Sequence, residues 1–151
     1  MAFHKLEVPV VAQSSSDTCW HASSEMIWYY WQNITGRVGP MNTLRDDFAA
    51  NRPINDWPTL AKTVGLKEIG ADKAYTSNDI KSLLVTHGPL WAAGNWYGVG
   101  HAIVITGIDG ETVHLNDPDG GVKKTGLVNW FNTMRFRTWP DALLAKDPAR
   151  Y

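Results

Sequence analysis

With 151 residues, 44% of them hydrophobic, and 14 basic against 15 acidic side chains, the sequence has the dimensions of one compact domain over residues 1–151 that buries an ordinary core without staples. Its one cysteine excludes an internal disulfide framework, and a formal charge of -1 without runs of Lys or Arg leaves no electrostatic footprint for nucleic acid or anionic lipid. No stretch reads as a signal peptide, and apolar runs such as 102–105 are far too short to cross a bilayer. A chain made and folded in a reducing cytosol is therefore expected, with no nucleic-acid and no membrane partner.

Residues 1–12, with Val8, Val10 and Val11 around Pro9, read as extended, and Ser14-Ser15-Ser16-Asp17-Thr18 reads as a turn. From Cys19 the apolar residues Ala22, Met26, Ile27, Tyr30 and Trp31 recur at three- and four-residue spacing, which predicts a helix; Asp17 and Thr18 offer capping oxygens and Gly36 marks the end. Shorter helices are expected over 41–50 and 57–64, the second opened by Asp56-Trp57-Pro58. Another runs from Ser77-Asn78-Asp79 through Leu84 to His87-Gly88-Pro89, where His87 reads as a cationic ring on a helix C-terminus. Then the texture changes: 89–95 and 101–109 read as strands, Asp109-Gly110 as a hairpin turn and 112–117 as the returning strand. Helices first and an antiparallel sheet second argue an α+β fold, with the helical half on one side of the sheet.

A lone cysteine is most often a small buried hydrophobe, and on residue type alone that reading leads for Cys19 by about three to one. Its place at the start of a long helix shifts the balance, because unpaired N–H groups and the helix dipole favour a thiolate, and such a site can hold a thiol at a pKa of about 3.5–7.5. A nucleophile of this kind needs an imidazole that takes and returns a proton. Of five histidines, His4 is terminal, His21 points away from the thiol's face and His87 closes a helix, which leaves His101 and His114. His101 is the better base, since it opens a strand after Gly98-Val99-Gly100, where small residues admit another backbone. The hairpin returns Asn116 and Asp117 beside His101, and alternation along the strands places Asp117 with His101 among buried positions. Gln13, six residues before Cys19, supplies a carboxamide that with the Cys19 N–H would stabilise an oxyanion.

Gln13-x5-Cys19-Trp20, then Gly100-His101-Ala102-Ile103-Val104, then Leu115-Asn116-Asp117-Pro118 resemble the blocks of papain-like cysteine peptidases, in that family's order and over about residues 8–31 and 88–118. The resemblance implies Cys19 as nucleophile, His101 as general base and acid, Asp117 as orienting residue and Gln13 as oxyanion donor. It also implies a nucleophile helix facing, across a cleft, the sheet that bears His101 and Asp117. Ser16-Asp17-Thr18 replaces the Gly-Ser pattern of plant and lysosomal members, Asp117 stands where they use asparagine, and no inhibitory propeptide is expected. The sequence is in these respects closer to compact bacterial relatives, among them peptidases that trim bacteriocin leaders and delivered effectors.

Trp20, Trp96 and Gly100 are candidate substrate-binding residues, with Trp130 as a further aromatic for the cleft wall. Gly98-Val99-Gly100 fails as a nucleotide fingerprint, and no spacing of histidines and carboxylates makes a metal site, so neither cofactor nor metal is expected. Three functions remain: a peptidase acting on a protein or peptide, as a toxin or effector restrained by a cognate inhibitor; an amidase or acyltransferase using the same thiolate; and a binding module that keeps the cleft.

Overall fold

The computed structural model describes residues 1–37, 39 and 57–151; the helix expected over 41–50 and the Asp56 cap lie outside the described residues. In chain order the elements are strand β1 (Phe3–Lys5), helix α1 (Cys19–Thr35), helix α2 (Trp57–Thr63), strand β2 (Leu66–Glu68), helix α3 (Ser77–His87), strands β3 (Leu90–Gly94), β4 (His101–Asp109), β5 (Thr112–Asp117) and β6 (Val122–Leu127), helix α4 (Val128–Met134) and strand β7 (Leu143–Lys146).

The helix expected from Cys19 forms, and Gly36 ends it in the left-handed conformation at φ 71°, its N–H donating to the Gln32 carbonyl. Its cap differs from expectation. Thr18 is the N-cap, yet its side chain makes no cap hydrogen bond. The hydroxyl instead accepts from the N–H groups of Ser14 (3.1 Å) and Ser15 (2.9 Å), holding the preceding turn. Helix α3 opens with a reciprocal capping box between Thr76 and Asp79. At its other end burial, and then the charge of Lys67, lower the His87 imidazole below its ordinary value, so the cationic ring expected there is disfavoured.

Seven strands form one sheet in the order β2-β7-β3-β4-β5-β6, with β1 paired to β4 beyond the end of β3 and each pairing antiparallel. The antiparallel hairpin turns where the sequence places it, Asp109 opposite Thr112 with Gly110 at φ 59°. The helices divide between the two faces rather than gathering on one side. Trp20, Met26 and Ile27 of α1 and Leu60 and Ala61 of α2 pack with Trp91, Ala93, Ala102 and Val104. Ile80 and Leu84 of α3 and Phe131 of α4 pack with Leu90, Ala92, Ile103 and Ile105 on the other face. A strand covered on both faces must be apolar at both parities, and Ala102-Ile103-Val104-Ile105 is, each residue 0% exposed. Hydrogen bonds lock α1 to the sheet: Ser23 Oγ donates to the Ala102 carbonyl (3.2 Å) and Trp91 Nε1 to that of Trp20 (3.2 Å).

One irregularity sets up everything at the end of the hairpin. Opposite β5, β4 pairs Ile108 with Val113 and Gly107 with His114, but the next pair is Ile105 with Leu115, so Thr106 is an extra residue. The bulge reverses the facing of β4. Were Thr106 instead paired with Leu115, Val104 would lie opposite Asp117, and His101 would point to the other face. With the bulge, Ile103 and Ile105 share a face with Ile108, Val113 and Leu115, and His101 joins Asp117.

Candidate active site

Four chain segments converge here. The N-terminal segment runs beside β4 and β5: Leu6 N–H donates to the carbonyl of bulged Thr106 (2.9 Å), Asn116 Nδ2 to that of Val8 (3.0 Å), and Gln13 N–H to that of Pro118 (2.8 Å). Gly121, at φ 63°, lets this segment lie close, since a Cβ there would come 3.0 Å from that of Ala12. Gln13 is thereby fixed beside the Asp117-Pro118 turn, half-buried, with a buried Oε1 that has no hydrogen-bond partner.

Cys19 is the first residue of α1 and is completely buried. The backbone N–H groups of Ala102, Trp20 and Cys19 itself favour the charged form of its sulfur, so the start of α1 and the start of β4 both act on this atom. The lowered thiol expected from the helix terminus is not found. Burial pushes Cys19 up to about 12; the three N–H groups pull the other way without prevailing, and the charge of Asp117 adds to the rise. The resting species is a neutral thiol whose surroundings are already set to solvate an anion.

His101 Nε2 lies 2.6 Å from Asp117 Oδ1, with His101 8% and Asp117 1% exposed. Asp117 Oδ1 also accepts from the Asp119 N–H (2.9 Å), and Oδ2 accepts from Lys124 Nζ (2.8 Å). Burial alone would raise this carboxyl, but His101, Lys124 and the Asp119 N–H outweigh it and hold Asp117 at about 2. An ionised Asp117 on Nε2 fixes the imidazole tautomer and leaves Nδ1 as the proton acceptor. The remaining histidines lie elsewhere. His21 Nδ1 bonds Glu25 Oε1 at 2.7 Å, and His114 lines a cleft with Lys5 and Lys123.

The structure corrects two of the substrate-binding expectations. Trp20 (0% exposed) and Trp96 (2%) lie in the two cores, Trp96 stacked on Phe131, so neither ring offers a surface to a peptide. Trp130 packs on Trp96 and Tyr97. Gly100 is half-buried immediately before His101, where a chain could approach. Sequence reasoning missed Lys124. Its signal was positional: Lys124 pairs with Leu115, so it shares that residue's face and reaches Asp117 diagonally, as His101 does from the opposite strand. Among the described residues, no group of three His, Cys, Asp or Glu side chains gathers to hold a metal ion, and no helix is long and apolar enough to cross a membrane.

Comparison with known proteins bears on this geometry. The fold is similar to that of a solved double glycine motif protease from an AMS/PCAT transporter, in complex with its leader peptide, at a TM-score of 0.54 and 19% identity over 95% of each chain. No curated protein sequence matches the chain. The family model described as "Papain-like cysteine protease AvrRpt2" matches residues 2–135. By that match the chain belongs to the papain-like cysteine proteases of the AvrRpt2 type, and it is a cysteine peptidase.

Proposed function

We propose that the chain cleaves peptide bonds with Cys19 as nucleophile, His101 as general base and acid, Asp117 as the group that orients the imidazole, and Gln13 with the Cys19 N–H as oxyanion donors. The carrying observation is the 2.6 Å contact between His101 Nε2 and Asp117 Oδ1, made by the first residue of the strand whose next N–H, that of Ala102, acts on the Cys19 sulfur. His101 Nδ1 takes the thiol proton as the sulfur attacks the carbonyl carbon, and the backbone N–H groups around the sulfur stabilise the charge until the bond forms. The tetrahedral oxyanion is held by the Gln13 amide and the Cys19 N–H. Nδ1–H then protonates the departing amine, and a water activated by the same imidazole hydrolyses the acyl-enzyme. A thiol near 12 makes this transfer part of the reaction rather than a resting ion pair.

The substrate is a protein or peptide bound extended near Gly100; the structural neighbour's capture of a leader peptide supports that class. We read the chain further as a bacterial effector or toxin delivered into another cell and held in check by a cognate inhibitor. The test is mapping of new protein N-termini in cells expressing wild type against Cys19→Ala. Wild-type-specific N-termini, with growth arrest that requires Cys19, are expected. Processing that persists in Cys19→Ala overturns the mechanism, and harmless wild-type expression overturns the effector reading.

A further inference from the structure

We propose that Lys124 is a positioning residue for catalysis: its ammonium, clamped between the Asp117 carboxylate and the Tyr97 ring, holds the carboxylate that orients His101, offsets its charge at Cys19 and fixes the loop that leads into His101. This rests on the triad reading above.

Three observations carry it. Lys124 Nζ is 2.8 Å from Asp117 Oδ2, the oxygen His101 does not use, and Nζ sits over the Tyr97 ring at 4.2 Å from its centroid. Tyr97 belongs to the short loop between β3 and β4, ends three residues before His101's neighbour Gly100, and packs against Trp130 at 6.0 Å between ring centroids. One side chain on β6 therefore touches both the carboxylate that aims the imidazole and the loop that delivers it. A buried carboxylate held only through Oδ1, by His101 and the Asp119 N–H, could swing about that oxygen, whereas a charged partner on Oδ2 holds the plane.

The charge has its own consequence. The groups facing Asp117 are His101 from β4, Lys124 from β6, Cys19 from α1, the Tyr97 phenol from the loop, and Asp119 from the following turn, whose carboxylate also acts on Lys124. Lys124 is the one cation of fixed charge in this set. A fixed positive charge beside Asp117 offsets that carboxylate's field at the groups around it. Removing it leaves the Asp117 charge, which already raises the Cys19 thiol, unopposed, so the thiol holds its proton more tightly. Because Lys124 is 38% exposed at its side chain, solvent screening limits the effect to about half to one pH unit.

The test uses the full chain and needs no substrate. Cys19 is the only cysteine, so the rate of iodoacetamide alkylation against pH reports this thiol alone. Lys124→Met and Lys124→Gln, both at a surface-reaching position and both checked by thermal melting, are expected to slow that alkylation about three- to tenfold at a fixed pH. Lys124→Arg, which keeps the charge and the ring contact, is expected to restore the rate. Once a peptide substrate is in hand, the Met and Gln variants should lose about tenfold in kcat with KM little changed. An unchanged rate, or a rate that Lys124→Arg lowers as far as Lys124→Met does, overturns the proposal. A Cys19→Ala protein that still cleaves would instead overturn the triad reading, so the two failures are distinguishable.

Discussion

A sulfur atom at a helix N-terminus is pulled two ways, and in Cys19 burial wins. The unfolded thiol loses its proton near 9 and the folded one near 12, so the folded state holds the proton more tightly. Stability from this source is complete below pH 9 and is lost as pH rises from there towards 12, by on the order of 3–4 kcal/mol. Cys19→Ala should flatten the alkaline limb of a urea-unfolding series, and a limb as steep as wild type would count against the burial. Asp117 works in the opposite sense. Its carboxyl falls from 3.8 unfolded to about 2 folded, so its roughly 2 kcal/mol is present above pH 4 and disappears as pH drops towards 2. Asp117→Asn should therefore be less stable than wild type at pH 7, with the gap closing by pH 2. The identities of Cys19, His101, Asp117 and Gln13 as candidates were legible in the sequence because residue type and order carry chemistry. The protonation state of the sulfur was not, because desolvation depends on what the rest of the chain packs around it.

At the scale of elements, the long helix from Cys19 and the hairpin through Asp109-Gly110 were legible, since each has a strong period and a clear terminator. Strand β6 was not: its Val122-Lys123-Lys124-Thr125-Gly126-Leu127 has little apolar alternation, and only pairing with β5 makes it a strand. The Thr106 bulge was also missed, although Gly107 beside it hinted at a close approach. A Cβ at Gly107 would come 3.0 Å from the Lys5 Cγ and 3.1 Å from the His4 carbonyl. Simple alternation paired Asp117 with His101 only because the bulge had already reversed one strand. Deleting Thr106 leaves Ile105 opposite Leu115 and His101 on the face of Asp117, but it removes the carbonyl that accepts from the Leu6 N–H, so the N-terminal segment should lose anchorage and the melting temperature should fall; an unchanged melting temperature would show that the bulge is dispensable.

Across the whole molecule, the sheet separates two cores that share little beyond Leu6. Ile27 lies in the one beneath α1 and Ile105 in the one beneath α3, both 0% exposed. Each replaced by alanine should cost about 2–5 kcal/mol, and the double variant should lose close to the sum, because the two sites lie in separate cores on opposite faces of the sheet. Calorimetry or denaturant titration measures this directly, and a strongly non-additive pair would mean the sheet transmits strain between its faces. The placing of helices on both faces was the feature least accessible from element order alone, yet the apolar run 102–105 recorded it.

The N-terminal segment is tied down by partners that are made late: Asn116, which bonds the Val8 carbonyl, is 108 residues further along the chain. During synthesis at about 5–20 residues per second, the opening residues must wait on the order of 5–20 s before those partners exist. Gln13 can take its seat only when the strand ending at Asp117 has emerged and turned. A nascent chain thus carries Cys19 early but holds Gln13 in place only after Pro118 has emerged, so a chain ending before Pro118 lacks that anchor.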